Sequence, residues 1–161
     1  MEQLYIICVD DQQEVLNALE HDLAAFDELC QVEVCDSGQE VLDLMEEVDG
    51  NGDYIAVIIS DQVMPKMSGV TLLAKITNDG RFPETQKMLL TGQATHQDTI
   101  EAINLGGIAQ YIAKPWERDT IVGMVKTLLT KFIIEKGIEH EPYLAICDQQ
   151  VLYDNLRRGT S

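Results

Sequence analysis

Basic residues are scarce in this chain: 11 Lys and Arg stand against 28 Asp and Glu, a formal charge of −17. No Lys/Arg cluster is present, and a phosphate backbone requires one, so direct nucleic-acid binding is not expected. The acidity itself reads as solubility. Long apolar runs are also missing, and nothing approaches the roughly 20 residues that a membrane span needs. The N-terminus enters Leu4-Tyr5-Ile6-Ile7-Cys8-Val9 with no basic leader, so the expectation is a cytoplasmic protein without a secretory signal. Cys8, Cys30, Cys35 and Cys147 show no CxxC spacing and no His partners, which points to free thiols in a reducing compartment. No glycine-rich phosphate loop follows the first apolar run, which argues against a flavin- or nucleotide-binding module.

What is present is an alternation. Leu4–Val9, Val32–Cys35, Tyr54–Ile59, Met88–Thr91 and Ile108–Ala113 read as strands rich in Ile, Val and Leu. The first, third and fourth are continuously apolar, as parallel strands covered on both faces are. Helical spacing fills the gaps. Leu16, Leu19 and Leu23 form one apolar face, Val41 and Met45 a second, Leu72, Leu73 and Ile76 a third. A weaker fourth lies around Ile100, Ile103 and Leu105, and a strong fifth runs through Ile121, Val125, Leu128 and Phe132. Ser37 with Glu40 forms a capping box, Ser68 suits a helix N-cap, and Gly50-Asn51-Gly52-Asp53 suits a turn.

Five βα units with short connections imply a doubly wound five-stranded parallel sheet, flavodoxin-like (βα)5, order 2-1-3-4-5. Its ligand crevice lies at the carboxyl ends of strands 1 and 3. Asp10-Asp11 follows strand 1, Asp61 follows strand 3, Thr91 ends strand 4 and Lys114 follows strand 5. Each has an ordinary explanation. One of Asp10 and Asp11 can cap the first helix, Asp61 can be a turn aspartate, Thr91 a strand terminator, and Lys114 a surface lysine. Together they have a chemical one. Acids at the end of a buried strand need a neutralising cation, and few, hard oxygen ligands suit Mg²⁺. Asp61 can accept a phosphoryl group as an acyl phosphate, the Thr91 hydroxyl can donate to it, and Lys114 supplies the missing positive charge. The Lys114-Pro115 bond is a candidate cis peptide that would aim the lysine inward.

The set Asp10-Asp11, Asp61-Gln-Val-Met-Pro-Lys-Met-Ser-Gly, Leu90-Thr91-Gly92 and Tyr111-Ile-Ala-Lys114-Pro115 resembles the receiver domain of two-component response regulators, over roughly Leu4 to Phe132. The resemblance implies a phosphorelay switch rather than an enzyme acting on outside substrates. Asp61 would take a phosphoryl group from a sensor histidine kinase, a phosphotransfer protein or a small phosphodonor. Mg²⁺ would be held by Asp11, Asp61 and the Val63 backbone carbonyl, with Asp10 acting through water. Lys114 and Thr91 would hold the phosphoryl oxygens. Thr91 and Tyr111 would then move and remodel the face of the fourth helix, fifth strand and fifth helix for a downstream effector protein or fused domain.

Departures from the usual pattern are Val63 and Gln93, at positions that tune water access, Gly92 beside the phosphoryl site, and Trp116 where Phe is more usual. An apolar Val63 cannot orient water, so slow to moderate self-hydrolysis is expected. The motifs also resemble receivers fused to cyclic-dinucleotide phosphodiesterases, cyclases or kinases, so a fragment of a longer regulator is an alternative. Another is a Mg²⁺-dependent aspartyl-phosphate phosphohydrolase, whose DxD arrangement Asp10-Asp11-Gln12 lacks. The expected division is a receiver domain over 1–135 and a linker with a helical tail over 136–161. In the tail, Leu144, Cys147, Val151 and Asn155 recur at helical spacing. The tail reads as a sixth helix packing back or a linker, with a homodimer or partner helix as the alternative.

Overall fold

The structure, a computed structural model, describes residues 2–92 and 107–159. In chain order it contains β1 (Leu4–Val9), α1 (Gln13–Asp22), β2 (Gln31–Cys35), α2 (Gly38–Gly50), β3 (Tyr54–Asp61), α3 (Gly69–Asn78), β4 (Gln86–Thr91), β5 (Gln110–Ala113), α4 (Arg118–Lys136) and α5 (Gln149–Gly159). All strand pairs are parallel and the order is β2-β1-β3-β4-β5, as the βα alternation implied. The helix expected around Ile100 lies outside the described residues, so the fifth expected helix is α4 here. β5 starts two residues later than its apolar run, at Gln110, with the Ala109 N–H already donating to the Lys87 carbonyl of β4 at 2.9 Å.

Alternation along the strands feeds two apolar layers. Ile6 and Cys8 of β1 join Leu16, Leu19, Ile121, Val125 and Leu128 on the α1/α4 side. Ile7 and Val9 join Val41, Met45, Leu72, Leu73 and Ile76 on the α2/α3 side. The four cysteines are free and buried, and burial pushes the Cys30 and Cys35 thiols up to about 12, far from thiolate reactivity.

Capping follows the sequence with two differences. Ser37 Oγ accepts from the Glu40 N–H at 3.2 Å, and Ser68 Oγ from the Thr71 N–H at 3.2 Å, as expected. The Glu40 carboxylate, however, reaches back to the Asp36 N–H at 3.1 Å rather than to Ser37. Neither Asp10 nor Asp11 caps α1; Gln12 holds that position without a side-chain bond, while Asp10 takes the Gln12 N–H at 2.9 Å.

The tail is broken into two pieces rather than one helix. A 3-10 segment, Glu141–Ile146, buries Tyr143 and Ile146 in the α1/α4-side layer, and α5 adds Leu152. Leu144, expected on the apolar face, is 41% exposed. The break is at Asp148. Its carboxylate accepts from the Gln150 and Val151 N–H groups at 3.0 and 3.3 Å, and from Thr127 Oγ1 of α4 at 2.7 Å. Its own N–H donates to the fully buried Thr130 Oγ1 at 2.7 Å. One residue thus starts α5 and fastens it to α4.

The Thr127 hydroxyl, then the N–H donors of α5, hold the Asp148 carboxyl below the usual carboxylate range. A native pKa lowered in this way contributes stability that is complete above the unfolded value of about 3.9 and is lost as pH falls through the native value. Asp148→Ala is expected to cost about 1 kcal/mol in urea unfolding at pH 7. The gap between variant and parent should narrow below about pH 4, read as converging unfolding midpoints.

Candidate functional site

Right-handed crossovers bring four strand ends to one edge of the sheet. Asp10 follows β1 and is fully buried, Asp61 ends the neighbouring β3 and is 6% exposed, and Thr91 ends β4 and is buried. Lys114 follows β5, fixed by its N–H donating to the Thr91 carbonyl at 2.8 Å. The Lys114-Pro115 peptide is cis, as anticipated. From there the ammonium crosses β4 and lies 2.7 Å from Asp10 Oδ2 and 2.8 Å from Asp61 Oδ1. One oxygen from each of Asp10, Asp11 and Asp61 falls within 4.8 Å of the others. Asp11 is exposed, so only one of the acidic pair bears the cost of burial that the sequence suggested for both.

The charges in this pocket are unbalanced, with three carboxylates facing one ammonium. Burial raises the Asp61 carboxyl pKa; the bond from Lys114 works against this, and the Asp10 charge adds to it. Burial pulls Lys114 down, but its bonds to Asp10 and Asp61 outweigh that and hold it above its ordinary value. Three hard oxygen donors and an excess of negative charge fit a divalent cation such as Mg²⁺, which takes carboxylate and carbonyl oxygens and keeps water.

The remaining expected residues sit at the rim. Val63, two residues past β3, is 80% exposed, and Tyr111 of β5 is 46% exposed with its ring outside the core. Gln93 lies outside the described residues. Among the described residues nothing lies within 4 Å of where a Cβ on Gly92 would stand.

Two supports were not evident from sequence. Gln62 Oε1 accepts the Val70 N–H at 2.9 Å, and the Gln62 carbonyl accepts from Gly69 at 3.0 Å, which folds the β3–α3 loop back on itself. Gly69 is forced by space: a Cβ there would strike the Asp61 carbonyl oxygen and come within 3.0 Å of Ser60 Oγ. Its signal in the sequence is a glycine in the first turn of a helix, where it is a poor helix former.

The matching family model is that of the response regulator receiver domain, and it spans residues 6–126. This chain belongs to that family. It is 32% identical over 135 residues to the hydrogenase transcriptional regulatory protein HoxA of Bradyrhizobium diazoefficiens, covering 83% of this chain and 26% of HoxA. It is 31% identical over 84 residues to the chemotaxis protein CheY1 of Helicobacter pylori, covering 52% of this chain and 66% of CheY1. Among solved structures, the signal receiver domain of an HD domain-containing protein from Pseudomonas fluorescens aligns with TM-score 0.74 at 26% identity, covering 85% of this chain and 94% of that one. A structure from Rhodopirellula baltica described as an adenylate cyclase aligns with TM-score 0.71 at 26% identity, over 85% and 94%. This receiver chain spans about a quarter of the length of the hydrogenase regulators it matches.

Gly69→Ala is expected to cost about 1–3 kcal/mol, because backbone of the site has to shift to admit the methyl. Gly80→Ala, where nothing lies within 4 Å among the described residues, should stay within about 0.5 kcal/mol of the parent. Urea unfolding of the two variants side by side checks this.

Proposed function

We propose that the chain is a phosphorylation-dependent signalling switch whose phosphoacceptor is Asp61. The observation that carries it is the Lys114 ammonium held between Asp10 and Asp61 beside a third carboxylate, in a chain of the receiver family. An Asp61 carboxylate oxygen attacks phosphorus of a phosphohistidine in line. The P–O bond forms as the P–N bond breaks, and the electron pair and a proton go to the departing imidazole. Lys114 and Thr91 hold the phosphoryl oxygens, Lys114 exchanging a carboxylate contact for one to the new anion. Asp11, Asp61 and the Val63 carbonyl would hold Mg²⁺, with Asp10 acting through water, and the ion would supply charge neutralisation between carboxylate and incoming phosphate.

The readout is a two-state equilibrium biased by a few charge-assisted bonds. Thr91 moves toward the phosphoryl group and Tyr111, outward in this structure, turns in. The surface so remodelled includes β5 and α4, and an effector protein or fused domain reads it. The phosphodonor is a sensor histidine kinase or a phosphotransfer protein, in the cytoplasm. Among the described residues no helix is long and apolar enough to cross a membrane. Residues 1–135 form the receiver and 136–161 its appended linker and tail. The likeness to hydrogenase transcriptional regulatory proteins supports an output module, fused or separate, that reads this receiver.

With Mg²⁺ and a small acyl or amido phosphodonor, intact mass should rise by one phosphoryl group and Trp116 fluorescence should change. Both responses should vanish in Asp61→Asn. With the exposed, apolar Val63 unable to orient water, the adduct should decay slowly, over minutes or longer. An adduct on another residue overturns Asp61 as the acceptor, and steady turnover of a free phosphate ester without a stable adduct overturns the switch in favour of a hydrolase.

A further inference from the structure

The tripeptide Lys114-Pro115-Trp116 grips both ends of the segment from the β1–α1 junction to the last residue of α1. Its first residue meets Asp10 at that junction, at 2.7 Å. Its third meets Asp22 at the far end: the Trp116 indole Nε1–H donates to Asp22 Oδ2 at 2.8 Å. The indole is half-buried and packs against the layer containing Leu19 and Ile121. The Asp22 side chain is 18% exposed, and its other polar contact among the described residues is a long one, 3.4 Å from the exposed His21 Nδ1.

Asp22 is the last residue of α1, where the helix dipole disfavours a carboxylate. An indole N–H aimed at it offsets that cost and gives a partly buried, charge-assisted bond. Phenylalanine fills the same space without a donor, so the bond is a property of this chain's own Trp and Asp. Between the two anchored residues stands proline, whose ring fixes φ and leaves little slack. On its other side Lys114 is tied by its N–H to Thr91. The ammonium is therefore delivered by a segment held at both ends.

We infer that Trp116 and Asp22 are positioning residues for Lys114: their hydrogen bond fixes the β5–α4 connection and so the place where the ammonium meets a phosphoryl oxygen. This rests on the phosphoryl-accepting reading above. Neither residue touches the transferred group. Both act on the clamp and not on the carboxylates, so phosphoryl binding and Mg²⁺ binding should respond differently.

The test is calorimetric titration of the full chain with Mg²⁺ alone, then with beryllofluoride at saturating Mg²⁺, as a stable mimic of the phosphoryl group. Asp22→Ala and Trp116→Phe should each weaken beryllofluoride binding about fivefold to tenfold. Mg²⁺ affinity should stay within about twofold, since its ligands are untouched. Asp22→Asn, whose amide oxygen still accepts the indole N–H, should recover most of the loss. The Asp22→Ala/Trp116→Phe double variant should be no weaker than either single one. Wild-type beryllofluoride affinity in both single variants overturns the inference. So does a parallel fall in Mg²⁺ affinity, which marks general loosening, or an Asp22→Asn variant as weak as Asp22→Ala. If the wild type fails to bind beryllofluoride, or Asp61→Asn binds it equally well, the phosphoacceptor reading itself falls and takes this inference with it.

Discussion

A single ammonium group holds the functional edge of this molecule together. Asp10 is completely buried and Asp61 nearly so, and two such carboxylates on adjacent strands would repel across a dry strand edge. Lys114 sits between them at 2.7 and 2.8 Å and makes their proximity tolerable. It does not cancel them, because Asp11 adds a third negative charge within reach. The pocket is thereby stable when folded and still short of positive charge, which is the electrostatic condition for recruiting a cation and, with it, an anionic phosphoryl group.

Topology explains why one lysine can do this. Asp10 and Asp61 come from strands adjacent in the sheet but separated in sequence by α1, β2 and α2. Lys114 comes from the edge strand on the far side of β4, and its backbone bond to Thr91 starts the side chain from the right height. Another strand order would keep these residues on the same edge of the parallel sheet but would no longer place Asp10 and Asp61 side by side within reach of Lys114. The buried members, Asp10, Asp61 and Thr91, terminate rigid strands. The exposed ones, Asp11, Val63 and Tyr111, stand where a partner chain can reach them. The site therefore has a fixed floor and an accessible rim.

The strands, their order and the convergence of four polar side chains were legible because hydrophobic period and turn chemistry are local signals, and one topology follows from them. What escaped were features decided by tertiary contact. One of Asp10 and Asp11 was expected to cap α1, yet the Asp10 carboxylate binds Lys114 and the Gln12 N–H, and Gln12 starts the helix uncapped. The tail read as one helix because Leu144, Cys147, Val151 and Asn155 keep helical spacing, but two threonines of α4 bind Asp148 and break it there. Gly69 shows in the sequence only as a poor helix former in a first turn, and it is the nearness of the Asp61 carbonyl that explains it. The Trp116–Asp22 bond joins residues 94 apart in sequence, a separation at which no local rule operates.

The tail's attachment bears on how the surface of α4 can be used. Tyr143, Ile146, Cys147 and Leu152 are all buried, in the same apolar layer as Val125, Leu128 and Phe132 of α4. Asp148 adds two bonds of 2.7 Å to the threonines of that helix. A second molecule pairing through the Thr127–Ile134 side of α4 would have to lift this segment off. That means uncovering four buried side chains and leaving the hydroxyl of fully buried Thr130 without the Asp148 N–H. Such a dimer must repay that loss before it gains anything, whereas a partner approaching over Tyr111 meets a side chain already exposed. The covalent neighbour thus occupies one part of α4 in cis and leaves the β5 side as the cheaper surface for an interaction in trans.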